Sequence, residues 1–148
     1  MRIKVGNLDL TIRKATLQDY NYCYKLFKRD MYQVIEKYWG WKKGKFRNNF
    51  ILSQVKILEY NNKRFGFYQI SIENGDYYIK EIHISNNLKR KGIGSKLLSI
   101  IQDEAKQKGH KKILLQVFKD NPAKRLYKRQ GYKVKKDKGP SVLMEKRI

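Results

Sequence analysis

The chain has 148 residues, of which 41% are hydrophobic and 13% aromatic, so it is long and apolar enough to form one domain with a substantial core. Its 35 Lys and Arg against 13 Asp and Glu give a net charge of +22, which suits a nucleic-acid, anionic-membrane or phosphorylated partner without selecting one. The single cysteine, Cys23, excludes an intramolecular disulfide and indicates a reducing compartment. With only two histidines, the usual Cys/His zinc site is not expected.

No segment has the pattern of a signal peptide or of a membrane span. The basic N-terminus is not followed by an apolar region of signal-peptide length. No apolar run elsewhere approaches the length that crosses a bilayer. The sequence therefore predicts a soluble, cytoplasmic protein without membrane partners.

The N-terminal part is predicted to contain a strand and a long helix. Residues 8–16 alternate apolar and polar side chains, as in a half-buried strand. Thr16 and Asp19 then resemble a helix-capping pair, with Asp in place of the usual Glu. A stripe with three- and four-residue steps follows toward Tyr38, and it consists of Tyr20, Cys23, Tyr24, Phe27, Met31 and Val34.

The middle of the chain is predicted to form a short helix and a three-stranded meander. Gly40 and Gly44 end the long helix, and a shorter helix is expected around Phe46 and Phe50. The hydrophobic period then changes to two, which indicates strands. Three antiparallel strands are predicted at 54–60, 64–72 and 77–85, with turns at 61–63 and 73–76.

The C-terminal part alternates helices and strands. A helical face runs to Gly109, and it consists of Ile93, Leu97, Ile101 and Ala105. A buried strand is predicted at 111–118, and a short helix is predicted to begin with Asn121 as its cap and Pro122 at its first position. Closing strands are predicted at 131–136 and 141–147, with a turn at Gly139-Pro140. This order predicts an α/β domain on one mixed sheet.

The stretch LKRKGIGSKLL, residues 88–98, lies between the third meander strand and the next helix. Strand, glycine turn and helix form a common phosphate-binding arrangement, because the first N–H groups of a helix are unpaired and glycine permits close approach. The stretch is not a Walker loop, and Leu97 stands where a dinucleotide fingerprint needs its third glycine. Taken alone, the two glycines are equally consistent with a tight structural turn.

A second motif gives the glycine stretch a family resemblance. Lys89-Arg90-Lys91-Gly92-Ile93-Gly94 resembles the Gln/Arg-x-x-Gly-x-Gly/Ala signature of the GNAT superfamily of N-acetyltransferases, with Lys89 replacing Gln or Arg. Further on, NPAKRLYKRQGY resembles the superfamily's Asn-Pro-Ala…Leu-Tyr…Gly-Phe segment, with Tyr132 in place of Phe. The close resemblance covers residues 70–136. YWGW, residues 38–41, also resembles one bacterial branch, although Lys42 and Lys43 stand where acids are common.

The resemblance implies a single acetyltransferase domain over residues 1–148, with a mixed, mostly antiparallel central sheet flanked by helices. It implies acetyl-CoA as co-substrate and no metal. The residues implied for its pyrophosphate are Lys89, Arg90, Lys91, Gly92, Ile93, Gly94 and Ser95. Those implied for its pantetheine arm are Ile82, His83 and Ile84. Asn121 is implied to contact the arm from the other side, and the helix cap is its alternative role.

The resemblance also implies the chemical roles of two side chains. Tyr127 matches the tyrosine that protonates the leaving thiolate, and its alternative is packing beside Leu126. Alternation along the third meander strand puts Tyr78, Ile82 and Ile84 on one apolar face, interrupted by Lys80, and Glu81 and His83 on the opposite face. Glu81 is the preferred base, with His83 or a water chain as alternatives. Cys23 is interpreted as a core residue and His110 as a solvated one, so the amine is expected to attack directly.

The acceptor is expected to bind the aromatic first half of the chain. The candidate residues are Tyr32 and Trp41 as aromatic contacts and Glu36 as an ammonium partner, and core packing is the alternative for each. The prediction is an N-acetyltransferase acting on a primary amine, as a monomer or homodimer. The alternatives are a basic module that binds nucleic acid or ribonucleoprotein, and a non-catalytic acyl-CoA sensor.

Overall fold

The computed structural model describes residues 1–88 and 91–148. Lys89 and Arg90, which the sequence predicts in the pyrophosphate loop, lie outside the described residues. The strands are β1 (Arg2–Val5), β2 (Leu8–Lys14), β3 (Val55–Tyr60), β4 (Lys63–Glu73), β5 (Asp76–Ile84), β6 (Lys112–Phe118), β7 (Lys133–Asp137) and β8 (Ser141–Arg147). The helices are α1 (Tyr20–Tyr38), α2 (Lys45–Asn49), α3 (Ile93–Gln107) and α4 (Ala123–Arg129).

These elements belong to two compact units. The first comprises residues 1–69 and 81–88, and the second comprises residues 70–80 and 91–148. Strands β4 and β5 each contribute residues to both units. In the first unit, β1 with β2, β2 with β3 and β3 with β4 pair antiparallel. In the second, β5 pairs with β6 in parallel, while β6 with β8 and β7 with β8 are antiparallel.

The chain thus has the predicted α/β fold with a mixed, mostly antiparallel sheet. Both predicted hairpin turns form, with positive φ at Asn61, Asn62, Asn74 and Gly75 as tight hairpins require. Strand β1 was not predicted, although Ile3 and Val5 alternate with basic residues before a Gly-Asn turn, which is a hairpin signal. Among the described residues, no helix is both long enough and apolar enough to span a bilayer.

A buried carboxylate anchors the start of α1 in the first unit. Asp19 is 2% exposed and accepts hydrogen bonds from Arg13 at 2.8 and 2.9 Å and from Arg64 at 3.2 Å. It also accepts the Thr16 N–H at 2.7 Å, so the predicted Thr16–Asp19 pair forms. The hydrogen bonds and charges of the arginines hold the pKa of Asp19 well below its usual range. These contacts fix the N-terminal end of α1 against β2 and β4.

The predicted stripe on α1 packs into the core of the first unit. Cys23, Phe27 and Phe46 are buried in one hydrophobic cluster with Phe67 of β4, and Tyr20, Tyr24 and Met31 pack against it. Burial raises the pKa of the Cys23 thiol to about 12, so the thiol stays protonated near neutral pH. The interpretation of Cys23 as a core residue is therefore confirmed.

The core of the second unit follows the predicted face of α3. All four predicted residues, Ile93, Leu97, Ile101 and Ala105, are buried.

On β5 the structure buries Tyr77, Ile79 and His83, whereas the apolar face expected at Tyr78, Ile82 and Ile84 is only partly buried. His110 was expected to be solvated, but its Nδ1 lies 2.9 Å from the Gly75 carbonyl and its ring packs 5.1 Å from Tyr77.

Gly66 lets β4 lie close to the end of its neighbouring strand β5 within the first unit. A Cβ at Gly66 would lie 2.4 Å from the His83 carbonyl oxygen and 3.3 Å from the Ile84 Cα. Both obstacles are backbone atoms, so neither can move aside cheaply. We expect Gly66→Ala to lower the free energy of unfolding by about 2 kcal/mol or more.

Urea unfolding measures this change. Gly6→Ala is the matched control, because Gly6 has a positive φ of 59° but open space around its Cβ position. Backbone strain alone should cost it about 1 kcal/mol. Equal losses in the two variants would contradict the close approach at Gly66.

Candidate active site

Two side chains on β5 form the centre of the candidate site in the first unit. Glu81 and His83 lie on the same face, as alternation predicts, and His83 Nε2 lies 2.7 Å from Glu81 Oε1. His83 is 6% exposed, so it is a buried residue and not a solvated one. Its ring stacks on Phe67 at 5.2 Å and meets Phe27 edge-on at 5.7 Å.

A third residue, from α1, completes the cluster. Asp30 Oδ2 lies 2.9 Å from His83 Nδ1, so the imidazole lies between two carboxylates. Arg29 donates to Asp30 Oδ1 from Nη2 at 2.7 Å and from Nε at 2.9 Å. Sequence reasoning missed Asp30. Its position three residues after Phe27, inside the apolar stripe of α1, is the signal that could have found it.

The carboxylates determine the charge of His83. Burial by itself lowers the pKa of His83, but the hydrogen bonds and charges of Asp30 and Glu81 outweigh burial and raise the pKa to about 9. The unfolded chain releases this proton near pH 6.5, whereas the folded chain keeps it up to about pH 9. His83 therefore contributes stability that is complete below pH 6.5 and is lost as the pH rises to 9.

We expect the free energy of unfolding to lose on the order of 3 kcal/mol from this group between pH 6.5 and 9. Urea unfolding across that range, compared between the wild type and His83→Gln, isolates the contribution from the titration of other groups. His110→Gln removes the other imidazole of the chain and is the matched control, so it should keep the loss that His83 contributes. A parallel pH dependence in the wild type and His83→Gln would show that His83 does not titrate between these values.

The structure brings the three predicted acceptor residues together in the first unit. The rings of Tyr32 and Trp41 lie 5.1 Å apart, and Trp41 lies 5.9 Å from Phe27, which in turn contacts His83. Tyr32 is 40% exposed, so it is not a core residue. The Glu36 carboxylate accepts a hydrogen bond from the backbone N–H of Trp41 at 2.8 Å, and this contact holds the segment after α1 in place.

A cavity of about 570 Å³ also opens in the first unit. Its wall includes four cations, Lys25, Arg29, Lys63 and Arg64. Two of them are already paired, Arg29 with Asp30 and Arg64 with Asp19. No sequence motif predicted this cavity.

In the second unit, the two glycines of the predicted loop have different structural roles. Gly92 precedes α3 with φ of 79°, a conformation that glycine adopts without strain. A Cβ at Gly94 would lie 2.9 Å from Leu126 Cδ2, so Gly94 permits close packing of α3 on α4. The helix begins at Ile93, and its first N–H groups have no helical acceptor. Gly92, Ile93, Gly94 and Ser95 thus form a backbone that suits an anion.

The parallel pairing of β5 with β6 is short. It runs from Tyr77–Ile113 to Ile79–Leu115, whereas β5 itself continues to Ile84. A strand that extends beyond its partner has peptide groups to offer to another extended chain.

The second motif places Asn121 and Tyr127 at α4. The helix begins at Ala123 with Pro122 as its N-cap, so the predicted cap position of Asn121 is wrong by one residue. The Asn121 side chain still accepts the Ala123 N–H at 2.9 Å. Tyr127 is 7% exposed, and its ring lies 6.0 Å from that of Tyr132. Tyr132 is 2% exposed, and its hydroxyl has no hydrogen-bond partner within residues 1–88 and 91–148.

We expect Tyr132→Phe to raise the free energy of unfolding by about 1 kcal/mol, because it removes a buried polar group that gains no hydrogen bond. The resembling motif carries Phe at this position, so the ring fits without the oxygen. Urea unfolding of the two proteins at neutral pH measures the change. A loss of stability in the variant would reveal that the hydroxyl has a partner.

Several solved structures share the fold, and all three named here are acetyltransferases. A GNAT-family acetyltransferase from Listeria monocytogenes has a TM-score of 0.76 and 16% identity, with both chains fully covered. The PaiA N-acetyltransferase from Thermoplasma acidophilum, in complex with coenzyme A, has a TM-score of 0.72 and 22% identity over 94% of this chain and 99% of its own. The ribosomal-protein-S18-alanine N-acetyltransferase from Escherichia coli has a TM-score of 0.72 and 20% identity over 94% of each chain.

The chain therefore has the fold that these three acetyltransferases share. No curated protein matches the sequence. The sequence model of the acetyltransferase (GNAT) family matches residues 16–132, which is most of the chain. The chain belongs to this family and is an acetyl-CoA-dependent N-acetyltransferase. Within the described residues, no three His, Cys, Asp or Glu side chains are arranged to hold a metal ion.

Proposed function

We propose that residues 1–148 form one acetyltransferase domain that transfers the acetyl group of acetyl-CoA to a primary amine by direct attack. The observation that carries this proposal is the backbone at the start of α3. Gly92 has no Cβ and a positive φ, and the N–H groups that follow lack helical acceptors. Lys91, Gly92, Ile93, Gly94 and Ser95 would hold the pyrophosphate there, together with Lys89 and Arg90.

The pantetheine arm is proposed to pair with the end of β5. Ile82, His83 and Ile84 lie beyond the last β5–β6 pair at Ile79, so their peptide groups suit an added strand. Asn121 keeps its hydrogen bond from the Ala123 N–H in this proposal, and its side-chain amide N–H groups are proposed to donate to the arm.

Tyr127 is proposed as the general acid for the thiolate. The ordinary pKa of a phenol is about 10 and that of a thiol is about 8.5, so proton transfer from the phenol to the thiolate is unfavourable in free solution. The position of Tyr127 next to the thiolate therefore has to compensate for this difference in pKa. The buried phenol on α4 meets the requirement for a fixed donor, because packing against Tyr132 restricts its ring. The Cys23 thiol is buried and stays protonated, which supports direct attack over a cysteine intermediate.

Glu81 is proposed to accept the proton from the amine. Its Oε1 faces His83, whereas Oε2 has no hydrogen bond within the described residues. The side chain is 23% exposed, so an amine or a water molecule reaches it. In this step an N–H bond of the ammonium breaks and an O–H bond forms at Oε2, which leaves the nitrogen lone pair free for the acetyl carbonyl.

The acceptor is proposed to lie against Tyr32 and Trp41, near Glu36. The two rings form a partly exposed aromatic surface that suits the carbon chain of an amine. Lys28 lies 5.7 Å from the Tyr32 ring, so one face of that ring is already covered by a cation. Glu36 keeps its contact with the Trp41 N–H and adds negative charge for an ammonium group.

Calorimetric titration with acetyl-CoA tests the co-substrate site, and dephospho-CoA and a short DNA duplex are the comparators. We expect saturable one-to-one binding of acetyl-CoA. Thiol release from acetyl-CoA is then measured with a lysine tripeptide, a peptide with N-terminal alanine, a linear polyamine and ethanolamine. The alanine peptide is included because the Escherichia coli neighbour acts on a ribosomal-protein alanine.

Each alternative has its own signature in these measurements. No heat with acetyl-CoA, together with salt-dependent DNA binding, would instead support a nucleic-acid or ribonucleoprotein partner, for which the net charge of +22 is suited. Acetyl-CoA binding without turnover of any amine would support a sensor. Light scattering distinguishes a monomer from a homodimer, the two oligomeric states that the proposal leaves open. The unpaired Cys23 favours the reducing cytoplasm as the compartment.

A further inference from the structure

We propose that Asp30 and His83 are positioning residues that hold the Glu81 carboxylate in one orientation, with Oε1 fixed and Oε2 presented to the amine. This inference rests on the proposed role of Glu81 as the base. It assigns His83 the part of a permanent hydrogen-bond donor and excludes it as the base. Asp30 becomes necessary for the reaction without touching the substrate.

The two ring nitrogens of His83 show why it donates on both sides. Nδ1 lies 2.9 Å from Asp30 Oδ2, and Nε2 lies 2.7 Å from Glu81 Oε1. An ionised carboxylate has lone pairs and no proton, so it can only accept. Both ring nitrogens therefore carry hydrogen, and the ring is an imidazolium. A ring that already holds two protons has no lone pair for the proton of an amine, so Glu81 has to take that proton.

The position of the ring is fixed by packing as well as by hydrogen bonds. Phe67 stacks on one side at 5.2 Å and Phe27 meets the ring edge-on at 5.7 Å. With 5% of its side chain exposed, His83 cannot change rotamer without displacing these rings. The hydrogen bond from Nε2 therefore transmits a fixed position to Glu81.

Asp30 is itself held from α1. Arg29 binds Asp30 Oδ1 through Nη2 and Nε, and its Nη2 also donates to the Ile84 carbonyl at 3.3 Å. The guanidinium thus joins the helix to the end of the strand that carries Glu81 and His83. An unbroken series of contacts runs from Arg29 through Asp30 and His83 to Glu81, all within the first unit.

The charges in this series balance. The carboxylates of Asp30 and Glu81 are matched by the imidazolium of His83 and the guanidinium of Arg29, so the four groups carry no net charge. Phe27 from α1 and Phe67 from β4, whose rings also pack on the imidazole, do not titrate. Removal of the Asp30 charge would leave His83 with one carboxylate in a buried site, where the protonated ring is then less favourable.

The test compares Asp30→Asn with Asp103→Asn, a matched loss of one charge at an exposed residue of α3. Thiol release is measured with the most active amine of the panel. We expect Asp30→Asn to lower kcat about tenfold or more, with the KM for acetyl-CoA unchanged, because one proton-transfer group is misplaced. Asp103→Asn should leave both constants unchanged. Glu81→Gln should lower kcat at least as far as Asp30→Asn does.

Nitrogen NMR of the His83 ring supplies a measurement that needs no amine. We expect the wild type to show two protonated ring nitrogens at about pH 8, and Asp30→Asn to show a neutral ring there. The wild-type spectrum tests the donor role of His83 on which the inference depends, even if Asp30→Asn does not fold. A neutral wild-type ring at that pH would overturn the inference.

The failures of the two proposals can be told apart. Loss of kcat in Glu81→Gln with full kcat in Asp30→Asn would overturn the positioning role and leave Glu81 as the base. Full kcat in Glu81→Gln would remove Glu81 as the base, and the positioning proposal would fall with it. Calorimetry with acetyl-CoA should give the wild-type affinity in all three variants, which separates these outcomes from a failure of the co-substrate site.

Discussion

Replacement of Tyr127 by phenylalanine is expected to lower kcat by about 10²- to 10³-fold while the affinity for acetyl-CoA stays the same. The variant keeps the ring, which is 7% exposed and lies 6.0 Å from that of Tyr132, and removes only the hydroxyl. Without that donor the thiolate leaves unprotonated or takes its proton from water. Either route raises the barrier of the chemical step and leaves binding intact.

Tyr132→Phe is the matched control for this experiment. It removes a hydroxyl from a second buried tyrosine in the same unit, so it shows whether the loss of any buried phenol oxygen there lowers turnover. We expect full turnover in Tyr132→Phe. Steady-state thiol release measures kcat, and calorimetry measures the Kd of acetyl-CoA. Wild-type kcat in Tyr127→Phe would assign Tyr127 to packing beside Leu126, the alternative that the sequence left open.

Gly92→Val is expected to weaken acetyl-CoA binding by about tenfold or more, a loss of at least about 1.4 kcal/mol. Gly92 has φ of 79°, a region that a β-branched residue enters only with strain. The loop has to change its backbone conformation to relieve that strain, which turns the first N–H groups of α3 away from the pyrophosphate. The added side chain also occupies space that the proposed ligand needs.

Gly109→Val at the other end of α3 is the control for backbone strain. Gly109 has φ of 84° and open space at its Cβ position, so the substitution imposes similar strain away from the loop. Both variants should lose about 1–2 kcal/mol of stability in urea unfolding. Only Gly92→Val should lose affinity for acetyl-CoA by calorimetry. Equal affinities in the two variants would reduce the glycine pair to a structural turn.

The hydrophobic period was sufficient to predict most elements of the fold. The stripe that ends near Tyr38 corresponds to α1, and the face that begins at Ile93 corresponds to α3. Both were predictable because the buried side of an amphipathic helix appears in the local sequence as a repeat of apolar residues. Strand faces were harder to predict. The apolar face of β5 was expected at Tyr78, Ile82 and Ile84, yet the buried residues alternate with these, since burial depends on which segment packs against the strand.

Some features of the candidate site also follow from the local sequence, and others depend on tertiary contacts. That Glu81 and His83 share a face follows from strand alternation alone. That His83 is buried and charged does not, because its partner Asp30 is 53 residues away in the chain and approaches only when α1 packs on the sheet. The sequence did not distinguish the roles of Gly92 and Gly94. Gly94 proved to be a packing residue because Leu126 of α4 lies beside it.

The sequence by itself determined the family, the α/β class, the glycine turn before α3 and the face shared by Glu81 and His83. These are properties of short segments, whose spacing is set by the strand and helix periods and by glycine's backbone freedom. Only the tertiary structure decided that His83 lies between Asp30 and Glu81 and that Tyr32, Trp41 and Glu36 lie together. It also decided that Tyr132 buries a hydroxyl that finds no partner among residues 1–88 and 91–148. Burial and ion pairing depend on contacts between segments that are far apart in the chain. A local sequence pattern does not determine those contacts.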